Sequence, residues 1–201
     1  MSYPSLRIEG NIISPDILAQ LENEEQSVGQ RANDFGLPAD TKVKDKIAHS
    51  WAESQEAYRR FKQRLERLNI TDAATSLTRQ QYMGSLFTFL GYELQPHTSG
   101  LSVTGQTQTY PISHTAGNRG NTPVYIIGYN DPAGLDRKPE NASRRMSAHA
   151  LMQEYLNLAE ALYGIVTNGR VIRLLRDSSR LVKQSYLEFN KNIRYKRTIF
   201  R

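Results

Sequence analysis

The stretch 162–177, LYGIVTNGRVIRLLRD, places two β-rich runs on either side of Asn168-Gly169. Such a pair supplies two residues that tolerate positive φ, so the pattern predicts a tight antiparallel hairpin closed by a type I′ turn. The second run alternates Val171, Arg173 and Leu175 with Ile172, Leu174 and Arg176, a less clean alternation than a half-exposed strand requires. Upstream, 147–162 presents Leu151, Tyr155, Leu158 and Leu162 at helical spacing, with Ser147 placed to cap the helix. Residues 123–129 hold Val124, Tyr125, Ile126 and Ile127 in succession between turn signals. That is the pattern of a central strand buried on both faces.

A helix is predicted over 78–90, with Tyr82, Leu86, Phe89 and Leu90 on its buried side and Gly91 ending it. Shorter β-like runs follow at 92–96, 101–103 and 109–114. Residues 130–143 carry two prolines and one glycine among polar residues and read as a loop. Nearer the start, Ser14-Pro15-Asp16 has a capping residue, a first-turn proline and an acid that complements the helix dipole. After a loop at 29–40, Ile47, Trp51, Ala57, Tyr58, Phe61, Leu65 and Leu68 mark a long helix over 43–68. Its other faces mix Lys and Arg with Glu53, Glu56 and Glu66, which reads as a solvated surface rather than a DNA-binding stripe.

Composition narrows the class. A chain of 201 residues suits one domain with helical additions. It has no cysteine, hence no disulfide, thiolate metal site or cysteine nucleophile, which suits a cytoplasmic location. No apolar run approaches the roughly 20 residues of a membrane span, and the opening Met1-Ser2-Tyr3-Pro4-Ser5 lacks the pattern of a secretory signal. The net charge of +6 is uneven. Arg170, Arg173, Arg176, Arg180, Lys183, Lys191, Arg194, Lys196, Arg197 and Arg201 face only Asp177 and Glu188 over the last 32 residues. Concentrated positive charge favours a polyanion, most simply nucleic acid. The plain alternative is a solvated end that keeps the protein soluble.

The order helix, strand, strand, central strand, helix, Thr-Asn-Gly hairpin resembles the PD-(D/E)xK nuclease fold. The strings "LFTFLGYELQP", "YPISH", "SAHALMQEYLN", "LYGIVTNGRVIRLLRDSSRL" and "YLEF" are similar to the N-terminal region of large single-chain restriction–modification proteins and of the adenine methylase of DISARM-type phage defence. The likeness runs from about Gln80 to Phe189. It implies an α/β fold with a restriction-endonuclease-like mixed sheet flanked by helices. On that reading the chain divides into a helical N-terminal extension (1–70), a degenerate nuclease-like domain (71–189) and a basic tail (190–201).

Neither chemistry of such proteins is complete here. Adenine methylation needs an Asn/Asp-Pro-Pro-aromatic clamp for a flipped base and a Gly-rich turn for its cofactor. Both are missing. A nuclease of this fold needs an acid on one strand and an acid-x-Lys on the next, to hold Mg²⁺ and activate water. Strand order places those positions at Pro111-Ile112-Ser113-His114 and Gly128-Tyr129-Asn130, which lack the required residues. Asp131, Asp136 and Lys138, with Glu93, are the remaining candidates for a displaced Mg²⁺ site. His97, His114 and His149 lack metal-ligand spacing, and Ser113-His114, as strand neighbours, should point to opposite faces.

The expected function is therefore a non-catalytic DNA-binding or assembly module of a bacterial restriction–modification or phage-defence system. Arg170, Arg173, Arg176, Arg180, Lys183, Lys191, Arg194, Lys196 and Arg197 would contact phosphates. No cofactor and no membrane partner are expected. One alternative is a Mg²⁺-dependent endonuclease with a displaced site. The other is a protein-docking subunit of a DNA methyltransferase complex.

Overall fold

Two-sided burial of the interior strands organises the molecule. The computed structural model describes residues 5–10, 12–22, 29–140, 145–177 and 185–190. Its strands are β1 (Leu6–Glu9), β2 (Leu94–Pro96), β3 (Leu101–Ser102), β4 (Thr109–Tyr110), β5 (His114–Ala116), β6 (Thr122–Ile126), β7 (Tyr163–Thr167), β8 (Val171–Arg176) and β9 (Ser185–Asn190). Seven of them form one sheet in the order β1-β9-β8-β7-β6-β5-β2, while β3 and β4 pair separately. Only β6 and β7 run parallel, so the sheet is mixed but mostly antiparallel. The helices are α1 (Pro15–Glu22), α2 (Val43–Leu65), α3 (residues 75–89) and α4 (Ala148–Ala159).

Along β6 and just past it, Val124 and Ile126 pack towards α2 and α3 with Phe61, Tyr82, Met83 and Ile165. Tyr125 and Ile127 point the other way, onto α4 with Leu151, Met152, Leu156 and Val166. The consecutive apolar run is thus a strand covered on both faces by the two helices its neighbours predict. Ser147 caps α4, its Oγ accepting the Ala150 N–H at 3.1 Å. Ser14 begins α1 in the same way, accepting from Ile17 at 3.4 Å.

Several local expectations need correction. The buried stripe of α4 is Ala148, Met152 and Leu156 beside Leu151, while Leu158 and Leu162 stay exposed. Gly164 on β7 explains the rotation: a Cβ there would lie 2.7 Å from Met152 Sδ and 3.0 Å from Leu156 Cδ2, so the glycine makes room for those two side chains. Only the second half of α2 is core. Ser54, Ala57, Phe61 and Leu65 are buried, whereas Ile47 and Trp51 are exposed. A helix of this length spans about 35 Å and overruns the sheet it packs on. The run 109–114 is split because Pro111 offers no N–H to a ladder, so β4 turns to β3 and β5 enters the large sheet. Residues 1–70 are not purely helical either, since Leu6–Glu9 pairs with β9 and makes one edge of the sheet.

The β7–β8 hairpin forms, but not through a type I′ turn. Gly169 has φ +80°, whereas Asn168 stays out of the left-handed region. Asn168 acts through its side chain, Oδ1 accepting the N–H groups of both Arg170 and Val171 at 3.0 Å. Thr167 Oγ1 accepts from Gly169 N–H at 3.0 Å and donates to Val171 O at 2.7 Å. The middle of α3, Thr78–Met83, is a π-helical turn in which Gly84 N–H reaches back to Arg79 O. Such turns are uncommon and concentrate at functional positions.

Candidate nucleic-acid interface at the end of the parallel strand pair

In open sheets, the carboxyl ends of adjacent parallel strands leave a crevice suited to ligands. Here that place follows β6 and β7, and the π turn of α3 builds its wall. Thr78 Oγ1 donates to Ala74 O at 2.6 Å and accepts the Tyr129 N–H at 3.0 Å. Arg79 Nε donates to Ile126 O at 2.8 Å. The Asn130 N–H donates to Ala73 O at 3.1 Å, and its Nδ2 to Asp72 O at 3.4 Å. Only glycine fits at 128, since a Cβ would meet Ala73 O at 2.0 Å. Gly169 is less tightly enclosed, its Cβ position lying 3.2 Å from Tyr129 and 3.3 Å from Tyr82, but its φ of +80° also favours glycine.

The tip of the hairpin thereby carries Arg170 onto Tyr129. Its guanidinium carbon lies 4.4 Å from the ring centroid, and Nη2 donates to Asn130 Oδ1 at 3.4 Å. Its Nε is buried and makes no hydrogen bond. From α2, the Lys62 ammonium approaches the same ring at 5.5 Å. A cation over an aromatic face gains about 0.5–2 kcal/mol, depending on exposure. Neither cation has a carboxylate partner among the described residues. Tyr129 itself is buried and shares a hydrogen bond with the Tyr58 hydroxyl at 3.0 Å. Burial first, then that bond, pushes the Tyr58 hydroxyl up to about 12, and the charge of Arg170 pulls the other way. Asn130, Arg170, Leu65, Leu68, Asn69, Ile70 and Glu66 line a crevice of about 520 Å³ beside this group.

The expected row of arginines separates. Three-residue spacing on a strand alternates faces, so Arg173 and Arg176 point to opposite sides of β8. Arg173 is engaged within the fold and is not presented to solvent as a phosphate contact would be. It is 4 % exposed, on the α4 side. Its Nε donates to Glu188 Oε2 at 2.8 Å, its Nη1 to Asp136 Oδ1 at 2.6 Å, and its Nη2 to Asp136 Oδ2 at 3.2 Å. Nη1 also lies 2.8 Å from His149 Nδ1. Arginine only donates, so in that contact the imidazole nitrogen is the acceptor. The Tyr186 ring covers the guanidinium at 4.6 Å. Arg176 is half-buried at the other end of β8, about 20 Å from Arg170 by strand rise. Arg180, Lys183, Lys191, Arg194, Lys196 and Arg197 lie outside the described residues.

The acidic candidates do not assemble. Asp136 is engaged by Arg173, whose hydrogen bond and charge outweigh burial and hold the carboxyl below its usual range. Asp131 Oδ1 accepts the Ala133 N–H at 2.9 Å within its own turn, and Lys138 and Glu93 are exposed. Among the described residues no three His, Asp or Glu side chains converge as metal ligands. Ser113 and His114, expected on opposite faces, are hydrogen-bonded at 2.9 Å because Ser113 precedes the regular strand. Ser113 also accepts the Ile126 N–H at 3.0 Å and is buried, so its hydroxyl is a backbone partner and not a nucleophile. His114 is lowered to about 4 by burial, then by Arg79 and His97.

Nothing in the spacing along the chain singles out Lys62, which belongs to the mixed-charge face of α2, or Tyr129. The available signal was Gly128-Tyr129-Asn130 directly after the apolar run of β6. No protein-family model, curated protein or solved structure matches the chain. Among the described residues no helix is long and apolar enough to cross a membrane.

Proposed function

We propose that this chain is a non-catalytic DNA-binding or assembly module of a bacterial restriction–modification or phage-defence system, cytoplasmic and built on a degenerate restriction-endonuclease-like core. The strand order β2-β5-β6, followed by a helix and the parallel strand β7, supports that fold reading. The observation that carries the function is the pair of cations on Tyr129, neither of them ion-paired among the described residues, with Arg170 also lining a crevice. Two neighbouring positive groups suit phosphate oxygens, and phosphate contacts fix a protein on nucleic acid without reading sequence.

Charge at the β5–β6 end argues against the Mg²⁺-dependent alternative. The position expected to hold the first acid falls at Ser113 or His114, and burial, then the nearby Arg79 guanidinium, depresses the proton affinity of His114. That guanidinium is itself tied to Ile126 O, where β6 ends. A fixed cation there repels a divalent one.

Fluorescence anisotropy with labelled duplex and single-stranded DNA across a salt series tests the proposal. Affinity should fall with salt at a log–log slope of about −0.9 per phosphate contacted on duplex. Arg170→Ala and Lys62→Ala should each reduce that slope by about one contact. If the full chain binds neither DNA form at low salt, the DNA reading is overturned. The docking subunit of a methyltransferase complex then takes its place.

A further inference from the structure

The crevice beside Arg170 has a lining of two chemical kinds. Leu65, Leu68 and Ile70 are its apolar lining, and Asn69, Asn130, Arg170 and Glu66 its polar and charged lining. Its volume of about 520 Å³ falls within the roughly 300–1,000 Å³ of small-ligand pockets. Ile70 is 96 % exposed, more than any other large apolar residue described. That exposure is imposed by a pinned turn. Asn69 Oδ1 accepts from both the N–H and the hydroxyl of Thr71 at 3.0 Å. The Asp72 N–H donates to Asn69 O at 2.9 Å, and the Ala74 N–H to Asp72 Oδ1 at 2.7 Å. Asn130 then holds the carbonyls of Asp72 and Ala73 from the far side.

A rigidly presented apolar residue beside a cation with no carboxylate partner suits a ligand that is flat and apolar at one end and anionic at the other. A nucleotide is both. We propose that this crevice seats one unstacked nucleotide of DNA, its phosphate on Arg170 and its base against Leu65, Leu68 and Ile70. The inference rests on the DNA-binding reading above and adds the form of DNA that is taken. In a duplex the base faces are covered by their neighbours, so the crevice selects single-stranded or locally opened DNA. Base identity matters little. Aliphatic walls read no hydrogen-bonding edge, and the Asn130 amide is already engaged, by Arg170 at Oδ1 and by Asp72 O at Nδ2.

The test uses the full chain and oligonucleotides carrying 2-aminopurine, whose fluorescence is quenched by base stacking. The parent should prefer single strand to the matched duplex by about tenfold and should raise the fluorescence of the single strand. Ile70→Ser removes only an exposed side chain and leaves the melting temperature unchanged. It should abolish the rise and weaken single-strand binding by about fivefold, with the salt slope intact. Arg170→Ala should instead flatten the slope. If the parent binds single strands with the expected slope but neither the fluorescence nor the Ile70→Ser affinity changes, the nucleotide crevice is wrong and the DNA reading stands. If no DNA form binds, both fall. Equal affinity for duplex and single strand, with no fluorescence change, also overturns the inference.

Discussion

Replacing Arg173 with alanine separates the structural account of this residue from the role its position in a basic segment suggests. Arg173 bridges Glu188 and Asp136, but the two carboxylates are not equivalent. The Glu188 side chain is 12 % exposed and the Asp136 side chain 68 %. Without the guanidinium, Asp136 turns to water and loses no more than the roughly 0–1 kcal/mol of a surface pair. Glu188 is left as a charge shielded from water, and breaking one side of such a pair costs about 3–5 kcal/mol. His149 Nδ1 loses its donor as well. A destabilisation of about 3 kcal/mol lowers the melting temperature of a chain this size by roughly 6–12 °C. Calorimetry at pH 7 reads that directly. The pH dependence adds a signature. The folded pKa of Asp136 is depressed, chiefly by its hydrogen bond from Arg173, so its contribution is present above the ordinary carboxylate range and is lost as pH falls through the folded value. Arg173→Ala should erase that part of the acid limb. Replacing the pair together, Arg173→Met with Glu188→Leu, should recover most of the loss, because apolar residues substitute well for a buried ion pair. If Arg173→Ala melts within about 1 °C of the parent, the burial argument is wrong. If it also loses DNA affinity and about one unit of salt slope, Arg173 is a phosphate contact after all.

Three further outcomes follow from the geometry. Gly128→Ala drives a Cβ into the Ala73 carbonyl, a backbone atom that cannot swing away, and should cost about 1–3 kcal/mol in thermal unfolding while displacing the turn that bears Ile70. Asn168→Ala leaves the Arg170 and Val171 N–H groups without their acceptor and should cost about 2 kcal/mol in urea titration, whereas Asn168→Asp keeps the acceptor and most of the stability. His114 has a folded pKa of about 4, below its unfolded value, so the unfolded chain binds the extra proton between the two. Stability should therefore fall as pH drops from about 6.5 to 4, and His114→Gln should flatten that window in chemical denaturation.

What the sequence disclosed was local. Ser147 and Ser14 cap their helices through contacts three residues away, and four consecutive apolar residues require a strand buried on both sides. Failures came where a residue's partner is distant. Leu6–Glu9 is a short alternating run whose strand identity rests entirely on residues 186–189. Arg173 sits in a basic segment, but its environment is made by Asp136 from a loop, His149 from α4 and Glu188 from β9. The rotation of α4 is set by the missing side chain of Gly164 on another element. The candidate site has the same origin. Lys62, Tyr129 and Arg170 come from a helix, a strand end and a hairpin tip, and no spacing along the chain joins them.

The edge strand β1 also orders events in time. Its partners Tyr186, Leu187, Glu188 and Phe189 belong to the last strand among the described residues, nearly the whole described chain after Leu6, Arg7, Ile8 and Glu9. Closing so long a loop brings no reward until both strands exist, so this pairing completes the sheet after the β5–β6–β7 centre has formed. Until then the outer flank of β9 has an open row of backbone donors and acceptors. The Arg7–Glu9 ion pair at 2.7 Å places charge along that border once β1 is in place. A nascent chain that stops before residue 185 lacks the strand against which Leu6 and Ile8 pair, and so leaves both apolar side chains without that support.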